Sequence, residues 1–591
     1  MSDRITILYG SSTGNAEEYA RYLKQRLGGY NFRAKLSSLD EFPLKNLILN
    51  TDYLIIICST TGQGELPRNA KRFMKFILKK KLPNDLFQNL SLTSFGLGDS
   101  SYEKFNYAIK KIHARMMQLG CRELSPRCEA DEMSPEGIDG YYLAWETQLI
   151  NALLTAFPFA NKTISDTTVP MPEYKISIDK IATTTTKSPE TSLLSKIFNE
   201  NFYSGIIKSN ERITSENHFQ DVRYIKIESQ DLKYSVGDTI SLYPCNFDSD
   251  VQSLLELQPH WLEIADKSLY VRNLVKDGIH ITLRDLIKYH LDIMSIPRRS
   301  FFNVLWHFCD ATNEEGERER NKLREFGAFD DPEELYNYSN RPRRSILETL
   351  ADFKNNLNIP VSYILDLIPL IKPRLFSIAS RPSENEIELI VAVVEYKTII
   401  RKVRRGLCTR WLKSLKAGDS IEFSFVKSPF DVFNAPVIMV SPGTGIAPMK
   451  ALIDEILHKK QQQQSSVSSV SSPLQEMYLF FGCRFEEKDY LIKTFWGKSS
   501  HLHIYNCFSR DQNSKYKYVQ DALIDQFKLV GDLIYNQGAR IFVCGSSGKM
   551  PREVKLTFAE IIKRFCNITE EEAHKYILNL ENTGRYKEDA W

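Results

Sequence analysis

Over the first quarter of the chain, short apolar runs alternate with longer stretches of helical period. Ile5-Thr6-Ile7-Leu8-Tyr9 and the runs at residues 53–58 and 92–96 read as buried strands, and glycine-, serine- and threonine-rich turns follow them. This alternation predicts a doubly wound parallel sheet over residues 1–154, with the loops at the strand C-termini forming a ligand crevice. The polar, aperiodic run Ala182-Thr183-Thr184-Thr185-Thr186-Lys187-Ser188-Pro189 marks residues 155–200 as a linker. In residues 201–434, two β-rich segments (201–243 and 374–425) flank a helical stretch at about 247–371. Alternation is clear in Glu386-Ile387-Glu388-Leu389-Ile390-Val391, so a β-barrel with a helical insertion is predicted. Strands at 437–440, 477–481, 502–506 and 540–544 alternate with helices over residues 435–591. They predict a second parallel α/β unit, interrupted by a low-complexity surface loop at 461–473. The fold class is therefore multidomain α/β.

Composition narrows the function. A chain of 591 residues exceeds one core, and 42% hydrophobic with 26% charged residues is ordinary for a soluble globular protein. A formal net charge of +3 gives no overall signature of nucleic-acid or membrane-surface binding. The ten cysteines are scattered without a CxxC pair, which argues against a zinc ribbon, a redox pair or a ligated iron–sulfur cluster; no metal site is expected. A chain of this size needs no disulfide framework, which points to a reducing compartment. The first strand leaves no room for a signal peptide, and no apolar run reaches roughly 18 residues, so no membrane anchor is expected. The expected location is the cytosol, with an additional association with mitochondria left open.

Three loops carry the first site. Gly10-Ser11-Ser12-Thr13-Gly14-Asn15-Ala16 follows a strand and opens a helix, so its hydroxyls and amides form an anion site without adding positive charge. That suits the terminal phosphate of a mononucleotide; alone, the same residues could be a plain strand-to-helix turn. Ser59-Thr60-Thr61-Gly62-Gln63-Gly64 and Gly96-Leu97-Gly98-Asp99-Ser100-Ser101-Tyr102-Glu103-Lys104-Phe105-Asn106 both lie at strand C-termini. Their backbone can hydrogen-bond a flavin edge while Tyr102 stacks on its face. The three loops in this order resemble the flavodoxin family, which implies FMN, with Asp131 or Glu132 closing the site. Thr61 stands where the microsomal cytochrome reductases carry an aromatic residue.

A second cluster is Arg374-Leu375-Phe376-Ser377 with Gly406-Leu407-Cys408-Thr409. Arginine neutralises a pyrophosphate, Phe376 can lie against a flavin ring and Ser377 can hydrogen-bond its reactive nitrogen. Their order resembles the FAD motifs of the ferredoxin–NADP reductase family, most of which have Tyr where Phe376 stands. Arg344, in Arg341-Pro342-Arg343-Arg344-Ser345, looks like the additional FAD contact of one diflavin subfamily.

The third cluster opens with Gly443, Thr444 and Gly445 after a strand, where glycines let a dinucleotide pyrophosphate approach the backbone. Ser509 and Arg510, then Lys517, Tyr518, Val519 and Gln520, offer a hydroxyl, cations and an aromatic around one point. A 2′-phosphate needs that set, so NADPH is favoured over NADH. The spacing is one residue longer than in relatives, and Lys515 could replace Lys517.

The three motif sets, in the order FMN, FAD, NADPH, cover nearly the whole chain and resemble the diflavin reductase superfamily, to which the microsomal cytochrome reductases belong. The resemblance implies a flavodoxin-like domain, an FAD-binding β-barrel with a helical insertion, and a Rossmann-like NADP-binding domain of the ferredoxin–NADP reductase type. It implies that NADPH gives hydride to FAD, that FAD passes electrons singly to FMN, and that FMN reduces a docked acceptor. It also implies that Ser377, Cys544 and Asp589 surround the hydride-transfer point, with Trp591 covering the FAD ring. Compact length and the Arg-Pro-Arg-Arg-Ser-Ile-Leu-Glu stretch look most like the branch serving cytosolic iron–sulfur protein assembly, whose acceptor is an anamorsin-like iron–sulfur protein. A haem monooxygenase or methionine synthase as acceptor, and a scaffold that has lost its flavins, are the competing readings.

Overall fold

The computed structural model describes residues 4–61, 64–102, 104–157, 169–172, 175–178, 202–272, 281–329, 331–428, 430, 435–465, 475–493, 495–496, 500–546 and 548–590. Gly62, Gln63, Glu103, Trp591 and the polar run at 182–189 lie outside the described residues.

The first sheet is parallel, in the order Ala34–Ser38, Ile5–Gly10, Tyr53–Ser59, Ser91–Gly98; Arg122–Glu123 and then Cys128–Asp131 pair along the last of these. Residues 54–58 are buried throughout, as a strand covered by helices on both faces must be. The helix Asn15–Gly29 buries Ala16, Ala20, Leu23 and Leu27, one stripe of its surface. Strand order reverses between Ile5–Gly10 and Tyr53–Ser59, and the crevice of a doubly wound sheet lies at that reversal.

The stretch expected as a linker contributes a strand of its own. Lys175–Ile178 pairs antiparallel with Ser268–Arg272, which also holds Ile281–Thr282. Six antiparallel strands follow in the order Arg374–Ser377, Thr239–Leu242, Ser420–Val426, Tyr203–Arg212, Val222–Ser229, Glu386–Ala392. An Ile378–Leu389 bridge joins the two edges, so the sheet closes into the expected barrel. The expected insertion is helical from Asp248–Leu257 to Ile364–Leu367 apart from the two strands Ser268–Arg272 and Ile281–Thr282, around a core that includes Trp261, Phe302 and Phe326.

The last sheet is parallel, in the order Leu502–Phe508, Met477–Cys483, Val437–Pro442, Arg540–Gly545, Tyr586–Ala590. Here one expectation is corrected: the helix Ile446–Ser465 runs through the glutamines at 461–464, which were expected in a loop. Glutamine is a good helix former, so the helix started by its apolar first turns continues through them. Residues 466–474 lie outside the described set. No helix among the described residues is long and apolar enough to cross a membrane.

Candidate functional site

The first phosphate loop is ordered from within. Gly14, at φ 93°, is in the left-handed region that favours glycine, and its N–H donates to Ser11 Oγ at 2.9 Å. Ser11 N–H donates to Asn69 Oδ1 at 2.9 Å, and Ser59 Oγ donates to the Gly10 carbonyl at 3.3 Å. Ala16 is buried beneath the loop. The other two loops are stitched together: Thr60 N–H donates to the Leu97 carbonyl at 3.0 Å and Glu132 N–H to the Gly98 carbonyl at 2.9 Å. Asp131 Oδ1 accepts Ser100 N–H at 3.0 Å and Met133 N–H at 3.0 Å, and the Ser100 contacts hold its carboxyl below the usual range. Asp99 Oδ1 accepts Ser101 N–H at 2.8 Å. Asn106 is buried and holds the Ala130 carbonyl at 2.9 Å, while its Oδ1 has no hydrogen-bond partner among the described residues.

These loops form one wall of a cleft of about 1280 Å³. Thr13, Asn15, Thr60, Thr61, Gly98 and Glu132 face it, and Tyr102 stands out from its loop at 54% exposure, a free ring for stacking. The opposite wall was not legible in the sequence: Pro297, Arg298, Arg299, Phe329 and Tyr336 come from the helical insertion. An anion-binding loop, an exposed aromatic and abundant backbone polar groups fit FMN.

In the barrel, Arg374 is half exposed beside Asp292, and Leu375 is 45% exposed. Phe376 lies in register with Ile240, partly buried against the barrel core. Gly406 precedes the helix Leu407–Ser414. Within this motif Cys408 is buried, which pushes its thiol up to about 12, and Thr409 Oγ1 accepts Val394 N–H at 3.0 Å. With those side chains turned inward, the motif offers an anion chiefly the amides of a helix start. Arg344 pairs with Asp352 and lies over Tyr338, 4.3 Å from the ring centroid. Basic, exposed Arg374 beside that helix start fits the pyrophosphate of FAD.

Barrel and last domain meet at Ser377, whose Oγ donates to Asp589 Oδ2 at 3.4 Å. Asp589 lies in register with Cys544 on the neighbouring strand, so the three residues expected together do converge. Burial raises the Asp589 carboxyl; burial, with Asp589 beside it, holds the Cys544 thiol far above its ordinary range. Cys544 is thus a neutral thiol and no nucleophile.

A second cavity, of about 470 Å³, opens where the last sheet reverses strand order. Gly443, Thr444, Ser509 and residues 517–520 line it. Gly445 lies so close to the Cys544 carbonyl that a side chain there would collide with it. Lys515 is drawn off to Asp525 at 3.0 Å, whereas Lys517 faces the cavity. Arg510 is exposed just beyond the lining, its N–H held by the Arg484 carbonyl at 2.9 Å. Sequence reasoning missed Arg484, a lining cation; its signal was the Gly-Cys-Arg that ends the strand Met477–Cys483.

Family models match in the same order: flavodoxin over residues 7–145, FAD binding domain over 196–411 and oxidoreductase NAD-binding domain over 439–555. Curated relatives match along the whole chain. A Candida albicans protein is 62% identical over 100% of both chains. A Debaryomyces hansenii protein is 54% identical over 99% of this chain and 98% of its own, and a Saccharomyces cerevisiae protein 40% identical over 100% of both. All three bear the name NADPH-dependent diflavin oxidoreductase 1.

Proposed function

This chain belongs to the NADPH-dependent diflavin oxidoreductases, and from that premise we propose that its electrons leave through FMN to an anamorsin-like iron–sulfur protein in cytosolic iron–sulfur cluster assembly. Its cofactors are FMN, FAD and NADPH. When bound, they supply a hydride donor, a carrier that splits the electron pair, and a one-electron donor.

The observation that carries this reading is the convergence of Ser377, Cys544 and Asp589 where barrel and nucleotide domain join, together with FMN loops that face the insertion across one cleft. Ser377 Oγ–H, and the Asp589 carboxyl whose proton affinity burial raises, stand together beside the hydride-transfer point. Gly443, Thr444 and the start of the helix Ile446–Ser465 take the NADPH pyrophosphate, and Ser509, Arg510 and Lys517 its 2′-phosphate. Arg374 and the amides at 406–409 take the FAD pyrophosphate, and the three first-domain loops take FMN.

A one-electron outlet suits an iron–sulfur acceptor, and ten cysteines all present as free thiols suit a reducing cytoplasm. The test is to mix NADPH-reduced protein with an anamorsin-like iron–sulfur protein, a haem monooxygenase and methionine synthase in turn, following each by stopped-flow absorbance. Fastest transfer to the iron–sulfur protein is expected. Faster transfer to either other acceptor replaces the proposed one and leaves the electron chain intact.

A further inference from the structure

The loop at residues 10–15 contains no cation, yet a phosphate monoester carries nearly two negative charges at neutral pH. The helix Asn15–Gly29 offers the partial positive charge of its N-terminus. A full charge comes from elsewhere. Arg298, 284 residues further along and just before the helix Arg299–Leu305, reaches across the cleft to this loop. Its Nη1 donates to the Gly14 carbonyl at 2.6 Å and its Nη2 to the Thr13 carbonyl at 3.0 Å.

The neighbouring cations of this interface behave differently. Arg299 pairs with Asp139 at 2.9 Å, and Lys372 with Glu17 at 2.5 Å. Among the described residues, Arg298 has no carboxylate within ion-pair distance and is held by the Thr13 and Gly14 carbonyls, with Asn15 Oδ1 3.5 Å from Nη1, beside a loop built for an anion. The guanidinium lies against the loop: a Cβ on Gly14 would stand 2.9 Å from Arg298 Nη2, the far end of a side chain that can yield, so it is the φ of 93° that favours glycine there. A trans peptide sends its N–H opposite its C=O. The Gly14 carbonyl also accepts Glu18 N–H at 3.0 Å, as a helix N-cap does, and with both carbonyls on the guanidinium side the amides of Gly14 and Asn15 point away from it. Gly14 N–H is then taken by Ser11 Oγ, and Asn15 N–H opens the helix.

We propose that Arg298 is a positioning residue for the FMN phosphate, supplied by the FAD-binding module to the first domain. It braces the Thr13 and Gly14 carbonyls, leaves the Asn15 amide on the opposite side at the helix start, and adds the positive charge the loop lacks. FMN affinity is thereby tied to contact between the two modules. The proposal rests on FMN occupying the loops of the first domain.

The test uses the full-length protein stripped of FMN but retaining FAD. It is titrated with FMN and, separately, with riboflavin, which lacks the phosphate; quenching of flavin fluorescence reports binding. In Arg298→Ala, FMN binding is expected to weaken roughly tenfold, as for loss of a charge-assisted contact, with riboflavin binding unchanged. Arg298→Lys, which keeps the charge and loses the fork, recovers part of the FMN affinity. FAD content and melting temperature close to those of the parent confirm that the variants fold. Equal weakening of FMN and riboflavin, or no change in either, overturns the role of Arg298. Wild-type protein that binds neither flavin overturns instead the assignment of FMN to these loops, and the proposal with it.

Discussion

Cys544 and Asp589 lie on neighbouring strands with Ser377 against the carboxylate, and burial raises the proton affinity of both acidic groups. Asp589→Asn keeps the shape and removes the titrating group. It is expected to slow NADPH-dependent FAD reduction about 10²-fold while leaving FAD content unchanged, as read by stopped-flow absorbance. The wild-type pH profile of that step should show an ionisation above the ordinary aspartate value of 3.8, absent from the variant. Because folding raises this pKa, the residue's contribution to stability is present below the unfolded value and is lost as pH rises through the folded one. A second residue-scale expectation separates two lysines. Lys517→Ala should weaken NADPH about tenfold and NADH little, since only NADPH carries the 2′-phosphate. Lys515→Ala, already paired with Asp525, should leave both Kd values unchanged in isothermal titration. The sequence could not choose between these lysines, because Asp525 became a partner only through the fold.

At the scale of elements, the hairpin Glu395–Lys397 and Val403–Arg405 is tied down by one carboxylate. Glu348 closes a capping box with Ser345 at the start of the helix Ile346–Asp352, pairs with Lys402, and holds Arg404 at 2.6 Å. Although burial works against it, these cations and the Ser345 amide bring its carboxyl down to about 2. Folding lowers this pKa, so the stabilisation is present above the unfolded value of 4.5 and is lost as pH falls toward about 2. Glu348→Ala should cost about 1 kcal/mol from the cap alone, and acid melts should show a flatter loss of stability between those values. The capping box was legible as Ser345 with Glu348 three residues on, because capping is local. Arg404 was not, since its partner lies 56 residues away. Buried parallel strands and phosphate loops were legible for the same reason: strand, turn and helix start are contiguous. Gln461 to Gln464 misled because low complexity and good helix propensity coincide there.

The whole molecule is held in its described arrangement by contacts that differ in exposure. Lys372 is 60% exposed in its pair with Glu17, whereas Arg299 and Asp139 are 11% and 24% exposed, and Glu18 accepts from Ser300 N–H at 2.7 Å. Salt screens exposed pairs far more than sheltered ones. Arg299→Ala is therefore expected to enlarge the radius of gyration in solution scattering at physiological salt, with Lys372→Ala changing it less. None of these partners could be found from sequence, because each joins segments more than 150 residues apart. The order of modules was legible, and so was the direction of electron flow that it implies. The most direct test of that flow is stopped-flow reduction by NADPH of protein stripped of FMN, followed by mixing with a one-electron iron–sulfur acceptor. FAD is expected to be reduced at the parent rate while the acceptor stays oxidised until FMN is restored. Reduction of the acceptor by FMN-free protein as fast as by the loaded protein would contradict FMN as the outlet.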